Sequence, residues 1–120
     1  MDNLKLDDLE IVVTNGDPTI IKWLGISQSR KPEVTLNPFF EELAQSLGNV
    51  KVIVDFTELE YMNSSTVSPI IMICKNFDKK GIQTTIRYNG NSDWQGATFK
   101  GLSTLAKVMK NIEVEAIHPQ

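Results

Sequence analysis

The chain has 120 residues, of which 41% are hydrophobic and 22% charged, and this is the size and composition of one globular domain. The net charge of −3 and the scattered Lys and Arg residues argue against nucleic acid as a partner, because such binding needs a basic stripe that displaces counterions. A single cysteine excludes an internal disulfide, and no run approaches the ~20 apolar residues of a membrane span.

The first ten residues, MDNLKLDDLE, are acidic and lack the basic start and the apolar stretch of a secretory signal. Together with the single cysteine, they predict a cytoplasmic protein that does not associate with membranes. We expect residues 1–120 to form a single domain.

The N-terminal third predicts a β-hairpin followed by a helix. Residues 9–13 and 19–26 are apolar or β-branched, and the TNGDP turn between them joins the two strands. After a polar loop, Asn37 predicts a helix cap and Pro38 the first helical position. Apolar side chains at helical spacing give this helix a buried face, and Gly48 predicts its end.

The rest of the chain alternates strands and helices. Residues 50–56 (VKVIVDF) are almost continuously apolar, which is typical of a central strand covered on both faces. The same patterns predict helices at residues 66–80 and 93–107 and strands at residues 82–88 and 112–116. The order β-β-α-β-α-β-α-β predicts an α/β fold with three helices and a mixed sheet, antiparallel at its N-terminal hairpin and parallel beyond it.

Four polar residues, Asn63-Ser64-Ser65-Thr66, lie at the predicted start of the second helix and are called the switch segment below. Pro69 fixes this start near Ser65 or Thr66, because proline lacks an N–H and is tolerated only in the first helical turn. Backbone N–H groups lack partners at such a position, so these polar side chains are favoured for helix capping alone.

The second helix has an inward and an outward face. At about 100° per residue, the apolar side chains that we expect to pack on the sheet are Val67, Ile70, Ile71, Cys74 and Phe77. The outward face, which begins at Ser65, carries Ser68, Met72, Asn76 and Lys79, called the Met72 stripe below. An adaptable apolar side chain beside a hydroxyl cluster predicts a partner-binding surface.

The segment VIVDFTELEYMNSSTVSPIIMICKNFDKKGIQTTI resembles the STAS family of anti-sigma-factor antagonists. It has an apolar strand ending at Asp55, a spacer ending in an aromatic and an apolar residue, and a turn similar to Asp-Ser-Ser/Thr-Gly. An apolar helix follows, closed by a glycine before the next strand. The similarity is close over residues 50–86 and looser as far as Ala116, while the N-terminal hairpin agrees only in architecture.

The resemblance implies a STAS-like single domain with a non-enzymatic regulatory role in protein–protein interaction. In the antagonists, the hydroxyl residue after the acidic one accepts a phosphoryl group from a kinase that is also the binding partner. That position is Ser64 here, with Ser65 as the alternative. The implied partners are a regulatory kinase or an anti-sigma-like protein, together with a phosphatase, and no cofactor is implied.

Two positions depart from the family pattern. Asn63 stands in place of the family's aspartate, which keeps the shape of a capping residue but loses a charge. Thr66 stands in place of its glycine and cannot easily take a positive φ. These changes fit a diverged branch of STAS-like regulators or a domain that binds without being phosphorylated. The alternative function is therefore a ligand-sensing or assembly subunit without a phosphoswitch.

Few other residues suggest chemistry. His118 is close to the end of the chain, and Cys74 falls on the inward face of its helix, where we expect a small buried thiol. One histidine and one cysteine cannot supply a metal-ligand cluster. We expect Trp23 and Trp94 to be core or edge aromatic residues, and Trp23 on a hairpin could equally meet a partner.

Asp55 lies at the end of the central strand, where it is expected to hold the turn that follows at Thr57. The remaining enzyme-like alternative is a receiver-like domain that accepts a phosphoryl group on Asp55. Such domains carry an acidic pair after the first strand, where this chain has Thr14 and Asn15.

Overall fold

The computed structural model of the chain describes residues 3–120. Met1 and Asp2, which belong to the acidic start interpreted above, lie outside the described residues. The described part contains seven strands, three α-helices and a 3₁₀ turn, in the order β1 (Leu4–Leu6), β2 (Leu9–Thr14), β3 (Thr19–Ser27), α1 (Glu33–Ser46), β4 (Val52–Asp55), β5 (Leu59–Met62), the turn Ser64–Thr66, α2 (Val67–Lys79), β6 (Thr84–Asn89), α3 (Asp93–Ala106) and β7 (Ile112–Ile117). None of these helices has the length and hydropathy needed to cross a membrane.

The strands form one mixed sheet. Its order is β1-β2-β3-β4-β6-β7, and β5 pairs with β3 beyond the end of β4. β1, β2 and β3 are antiparallel, whereas β3, β4, β6 and β7 are parallel. Since α2 connects the parallel neighbours β4 and β6, the predicted hairpin, mixed sheet and crossover helix are confirmed.

The sequence patterns do not predict two of the strands, β1 and β5. They have three and four residues, too few to show an alternating pattern. β5 forms because β3 has nine residues and extends past β4. The backbone of residues 25–27 therefore pairs with Leu59–Met62 instead of remaining without partners.

The prediction that Asn37 caps the first helix is wrong. Helix α1 starts at Glu33, with Pro32 at its N-cap position and Pro38 inside it. Pro38 lacks the N–H of a regular helical residue, which removes one hydrogen bond. The earlier start places Leu36 on the buried face of the helix, and tertiary packing of this kind dominates helix stability.

All three helices pack on the same face of the sheet, against one continuous hydrophobic core. In β4, Val52 and Val54 are 1% exposed beneath the helices, whereas Ile53 and Asp55 point to the other face and are only partly buried. The prediction of a strand covered on both faces is therefore wrong. β4 is central, but on the open face Ile53 is shielded mainly by its neighbours across the sheet, among them Ile20.

A line of aromatic rings forms the centre of the core. Trp23 stacks on Phe40 of α1 with ring centroids 5.8 Å apart, and it lies 4.8 Å from Phe56. Phe56 in turn lies 4.9 Å from Phe99 of α3. Trp23 is fully buried, so it is a core residue and does not contact a partner. These rings fix α1 and α3 over the carboxyl end of β4, from which the chain leads to the switch segment.

Candidate functional site

The switch segment connects β5 to α2 without a loop. Asn63 is extended, with φ −80° and ψ 168°, and Ser64–Thr66 form a 3₁₀ turn that leads directly into α2 at Val67. Pro69 is the third residue of α2, within the first turn. The helix start predicted near Ser65 or Thr66 is confirmed.

Thr66 is a buried anchor of this turn. Its Oγ1 donates a hydrogen bond of 2.8 Å to Asn63 Oδ1 and lies 2.7 Å from Ser27 Oγ. Because a hydroxyl has a single proton and that of Thr66 goes to Asn63, Ser27 must be the donor to Thr66. Thr66 and Ser27 are both buried, so this chain of hydrogen bonds ties the start of α2 to the end of β3.

The side chain of Asn63 does not cap the helix, contrary to its interpretation as a capping residue. It makes no side-chain bond to the first N–H groups of the turn. Its Oδ1 accepts from Thr66, and its Nδ2 donates to the carbonyl of Ser29 at 3.0 Å. Since an amide both donates and accepts, Asn63 links two segments, whereas an ionised aspartate could only accept.

The two departures from the family pattern form one local arrangement. Thr66 has φ −78° and ψ −22°, which is ordinary helical backbone, so glycine is not required at this position. Asn63 and Thr66 bond each other through their side chains. A chain with threonine at position 66 therefore gains from a polar acceptor at position 63, which Asn63 supplies.

Ser64 and Ser65 are the exposed hydroxyls of the switch segment. They lie in the turn that precedes α2, where the partial positive charge of a helix N-terminus favours an anion. Thr66, in contrast, is buried. The structure thus divides the predicted four-residue cluster into two accessible serines and a framework of Asn63 and Thr66.

The Met72 stripe lies on the exposed side of α2. Met72 is 52% exposed, Ser68 and Lys79 are exposed, and Asn76 is half-buried. Three of these residues, Met72, Asn76 and Lys79, line a groove of about 360 Å³ between α1 and α2. Glu41 of α1 lies on the other side of the groove, which is therefore bordered by charges of both signs.

The inward face of α2 is broader than predicted. Ile70, Cys74 and Phe77 are buried as expected, and burial raises the pKa of the Cys74 thiol to about 12, which makes it a structural residue. Ile73 is also buried because α2 packs against α1 as well as the sheet. Val67 and Ile71 are only half-buried, since they face a space between α2 and α3.

Sequence reasoning missed Gln95, a buried polar residue of α3. Its Nε2 donates to the carbonyls of Phe56 and Leu59 at 2.8 and 3.0 Å, and its Oε1 accepts from the backbone N–H of Asn89 at 2.7 Å. Gln95 thus holds the β4–β5 connection that precedes the switch segment. The sequence contained one indication of this role. Gln95 precedes Phe99 by four residues, which places its polar side chain on the buried face of the helix.

The other candidate residues have structural surroundings. Asp55 Oδ1 accepts hydrogen bonds from the backbone N–H and the hydroxyl of Thr57 at 2.8 and 2.7 Å, as expected for a residue that holds this turn. His118 Nδ1 lies 3.1 Å from Asn91 Oδ1 on the surface. Trp94 is half-buried beside Tyr61, with ring centroids 6.5 Å apart.

No protein-family profile and no curated protein matches the chain. Solved structures do match it. One is the crystal structure of an uncharacterised protein from the DUF3478 family with a SpoIIAA-like fold, from Shewanella loihica PV-4. It is 11% identical, has a TM-score of 0.55 and covers 93% of this chain and 88% of that chain. The chain therefore has the SpoIIAA-like, or STAS, fold that its sequence resemblance implies, and at this identity the likeness concerns the fold alone.

Proposed function

We propose that this protein is a non-enzymatic regulatory domain that binds partner proteins and is switched by phosphorylation of Ser64, with Ser65 as the alternative acceptor. Its partners are a regulatory kinase or an anti-sigma-like protein, and a phosphatase that restores the free hydroxyl. The pathway is one of partner switching in the cytoplasm, without a cofactor.

The observation that carries this proposal is the exposure of Ser64 on a fixed framework. The hydroxyl lies in the turn that starts α2, and the neighbouring Asn63 and Thr66 anchor that turn to residues 27–29. A kinase can therefore reach Ser64 while the backbone on both sides stays in place. The same helix continues into the Met72 stripe, so a partner that covers the stripe is also close to the serine.

Phosphorylation is expected to change the surface and not the fold. A phosphoserine carries about −1.5 to −2 charge at neutral pH, and a helix N-terminus tolerates an anion. A partner shaped for a neutral hydroxyl would have to bury this charge without a matching cation, which is unfavourable. The phosphorylated protein should therefore release such a partner and remain folded.

The groove beside the Met72 stripe supports a partner with both apolar and polar contacts. Met72 offers an adaptable apolar side chain, and Lys79 a positive charge.

The test compares wild type, Ser64→Asp and Ser65→Asp as baits in a lysate of the native host, followed by affinity measurement with the partner that wild type captures. We expect the aspartate at the true switch position to weaken binding at least ~10-fold with unchanged circular dichroism, because it places a charge in the interface. Ala97→Asp is the matched control, since it adds the same charge to an exposed position near the start of α3. Affinity that is unchanged in both serine variants would refute the switch.

The receiver-like alternative has less support. Asp55 Oδ1 already accepts two hydrogen bonds from Thr57, and the chain has Thr14 and Asn15 where a receiver needs acidic residues. Acid-labile phosphate on Asp55 would favour that alternative, whereas acid-stable phosphate on Ser64 would favour the proposed switch.

A further inference from the structure

An apolar cavity of about 190 Å³, open to solvent on one side, lies between α2 and α3. Val67 and Ile71 line it from α2, and Thr98, Gly101 and Leu105 from α3. Each set falls on one helical stripe, with spacings of three, four and seven residues. One face of each helix therefore borders the cavity, and Met62 of β5 also borders it.

The cavity exists because α2 and α3 have different supports. α2 packs closely on α1, and α3 packs on β6 and β7. α2 and α3 do not pack closely against each other, so the apolar side chains of Val67, Ile71 and Leu105 remain half-buried. In a well-packed core such side chains would contact each other directly.

Gly101 borders the cavity on the α3 side and is exposed. A Cβ added at Gly101 would meet no atom within 4 Å, so neither backbone strain nor a close contact calls for glycine here. Glycine inside a helix is about 1 kcal/mol less favourable than alanine. The helix is therefore less stable than it would be with alanine, at a position where a larger side chain would lie at the open edge of the cavity.

We propose that this cavity binds a small apolar molecule with the size of one or two fused rings and at most one hydrogen-bonding group, which Thr98 would meet. The lining has no charged residue, so it cannot compensate an ionic ligand. An engineered cavity of about 150 Å³ lined by Leu, Ile and Phe binds benzene, so a cavity of about 190 Å³ has room for a compact ring system.

The position of the cavity connects it to the switch segment. Met62 immediately precedes Asn63, and Val67 immediately follows Thr66. A bound molecule would therefore contact the residues on both sides of the switch segment. The site itself does not depend on phosphorylation, so its failure would leave the proposed function standing, and the reverse also holds.

The test titrates the 120-residue protein with indole and with toluene and follows the methyl groups by NMR. We expect saturable shifts at Met62, Val67, Ile71 and Leu105 with a dissociation constant of about 0.1 to 1 mM, the range for a small ligand held by apolar contacts. Imidazole, a smaller and polar ring without the apolar surface of either probe, should give no saturable shift. Absence of saturable shifts with both apolar probes would overturn the proposal.

Matched glycine substitutions locate the binding. Gly101→Leu should weaken indole binding at least ~10-fold because the leucine covers the open edge of the cavity, whereas Gly96→Leu should leave it unchanged. Gly96 is in the same helix, also has no atom within 4 Å of an added Cβ, and does not line the cavity. Both changes favour the helix, so loss of binding would not reflect unfolding.

A third variant changes the affinity in the other direction. Leu105→Ala enlarges the cavity and should tighten the binding of naphthalene relative to wild type. Equal indole affinity in wild type and Gly101→Leu, or shifts confined to residues outside the cavity, would contradict the assignment.

Discussion

Ser64 and Thr66 are separated by one residue, carry similar hydroxyl groups and have different roles. Ser64 is exposed, whereas Thr66 is fully buried and bonded to Ser27 and Asn63. The buried threonine holds the turn, and with it the backbone that carries the exposed serine. The functional proposal for Ser64 thus depends on the physical chemistry of its neighbours.

The framework predicts a specific loss of stability. Thr66→Val keeps the shape of the side chain but removes the hydroxyl, so the Ser27 hydroxyl and Asn63 Oδ1 lose a buried partner. We expect the free energy of unfolding to fall by about 1 to 3 kcal/mol, measured by urea denaturation. The control Ser65→Ala removes an exposed hydroxyl and should change stability by less than about 0.5 kcal/mol. Equal stability of Thr66→Val and wild type would show that the network does not hold the turn.

Single residues were predictable where one rule dominated. Pro69 placed the helix start because a missing N–H allows few positions, and the inward position of Cys74 followed from helical periodicity. The role of Asn63 was not predictable, because its partner Ser29 lies 34 residues away in the sequence. A capping preference is a local rule, and here the side chain bonds to a distant segment and to Thr66 instead.

At the scale of elements, the site depends on the β4–β5 connection. This connection leaves the parallel part of the sheet and returns as β5 on the extended end of β3. Gln95 of α3 bonds two of its carbonyls, so the third helix supports the segment that leads into the switch. The apolar cavity between α2 and α3 lies beside the same support.

Replacing Gln95 tests this link between elements. Gln95→Leu keeps a side chain of similar size but leaves the carbonyls of Phe56 and Leu59 and the N–H of Asn89 without their partner. We expect a loss of about 2 to 4 kcal/mol in the free energy of unfolding by urea denaturation.

The control for this substitution is Gln45→Leu at an exposed position of α1, which should change stability by less than about 0.5 kcal/mol. Similar stability of the two variants would mean that Gln95 does not brace the connection.

The sequence predicted the long elements better than the short ones. β3, α2, β6 and α3 appear within a few residues of their expected positions, because their periodic patterns are long enough to be recognised. β1 and β5 were missed because their pairing depends on a neighbouring strand with free edge groups. The start of α1 was misplaced because Pro38 resembles a first helical position, while burial of Leu36 decides the true one.

At the scale of the molecule, the sheet carries its helices on one face. The open face shows a row of alternating charges, Lys22, Asp55, Arg87 and Glu115, on four neighbouring strands. Arg87 and Glu115 form an ion pair at 3.1 Å. Such a row keeps a half-covered sheet in contact with water and adds modest stability through cross-strand pairs. The sequence did not predict this open face, because the apolar run of β4 is typical of a strand that is covered on both faces.

The likeness to a SpoIIAA-like structure agrees with the fold and leaves the function to the residues of this chain. Ser64, the Met72 stripe and the apolar cavity all border α2, the stripe on the side of α1 and the cavity on the side of α3. A ligand in the cavity would contact Val67, which is next to the switch segment.

Mass spectrometry of the protein isolated from its native host tests the central claim most directly. We predict a fraction of molecules with the mass of one added phosphoryl group, with fragment spectra that place the group on Ser64 or Ser65 and with removal by a serine phosphatase. Co-expression with the captured kinase should increase this fraction. Protein that stays unmodified in the presence of that kinase, or that carries phosphate only outside the switch segment, would contradict the account.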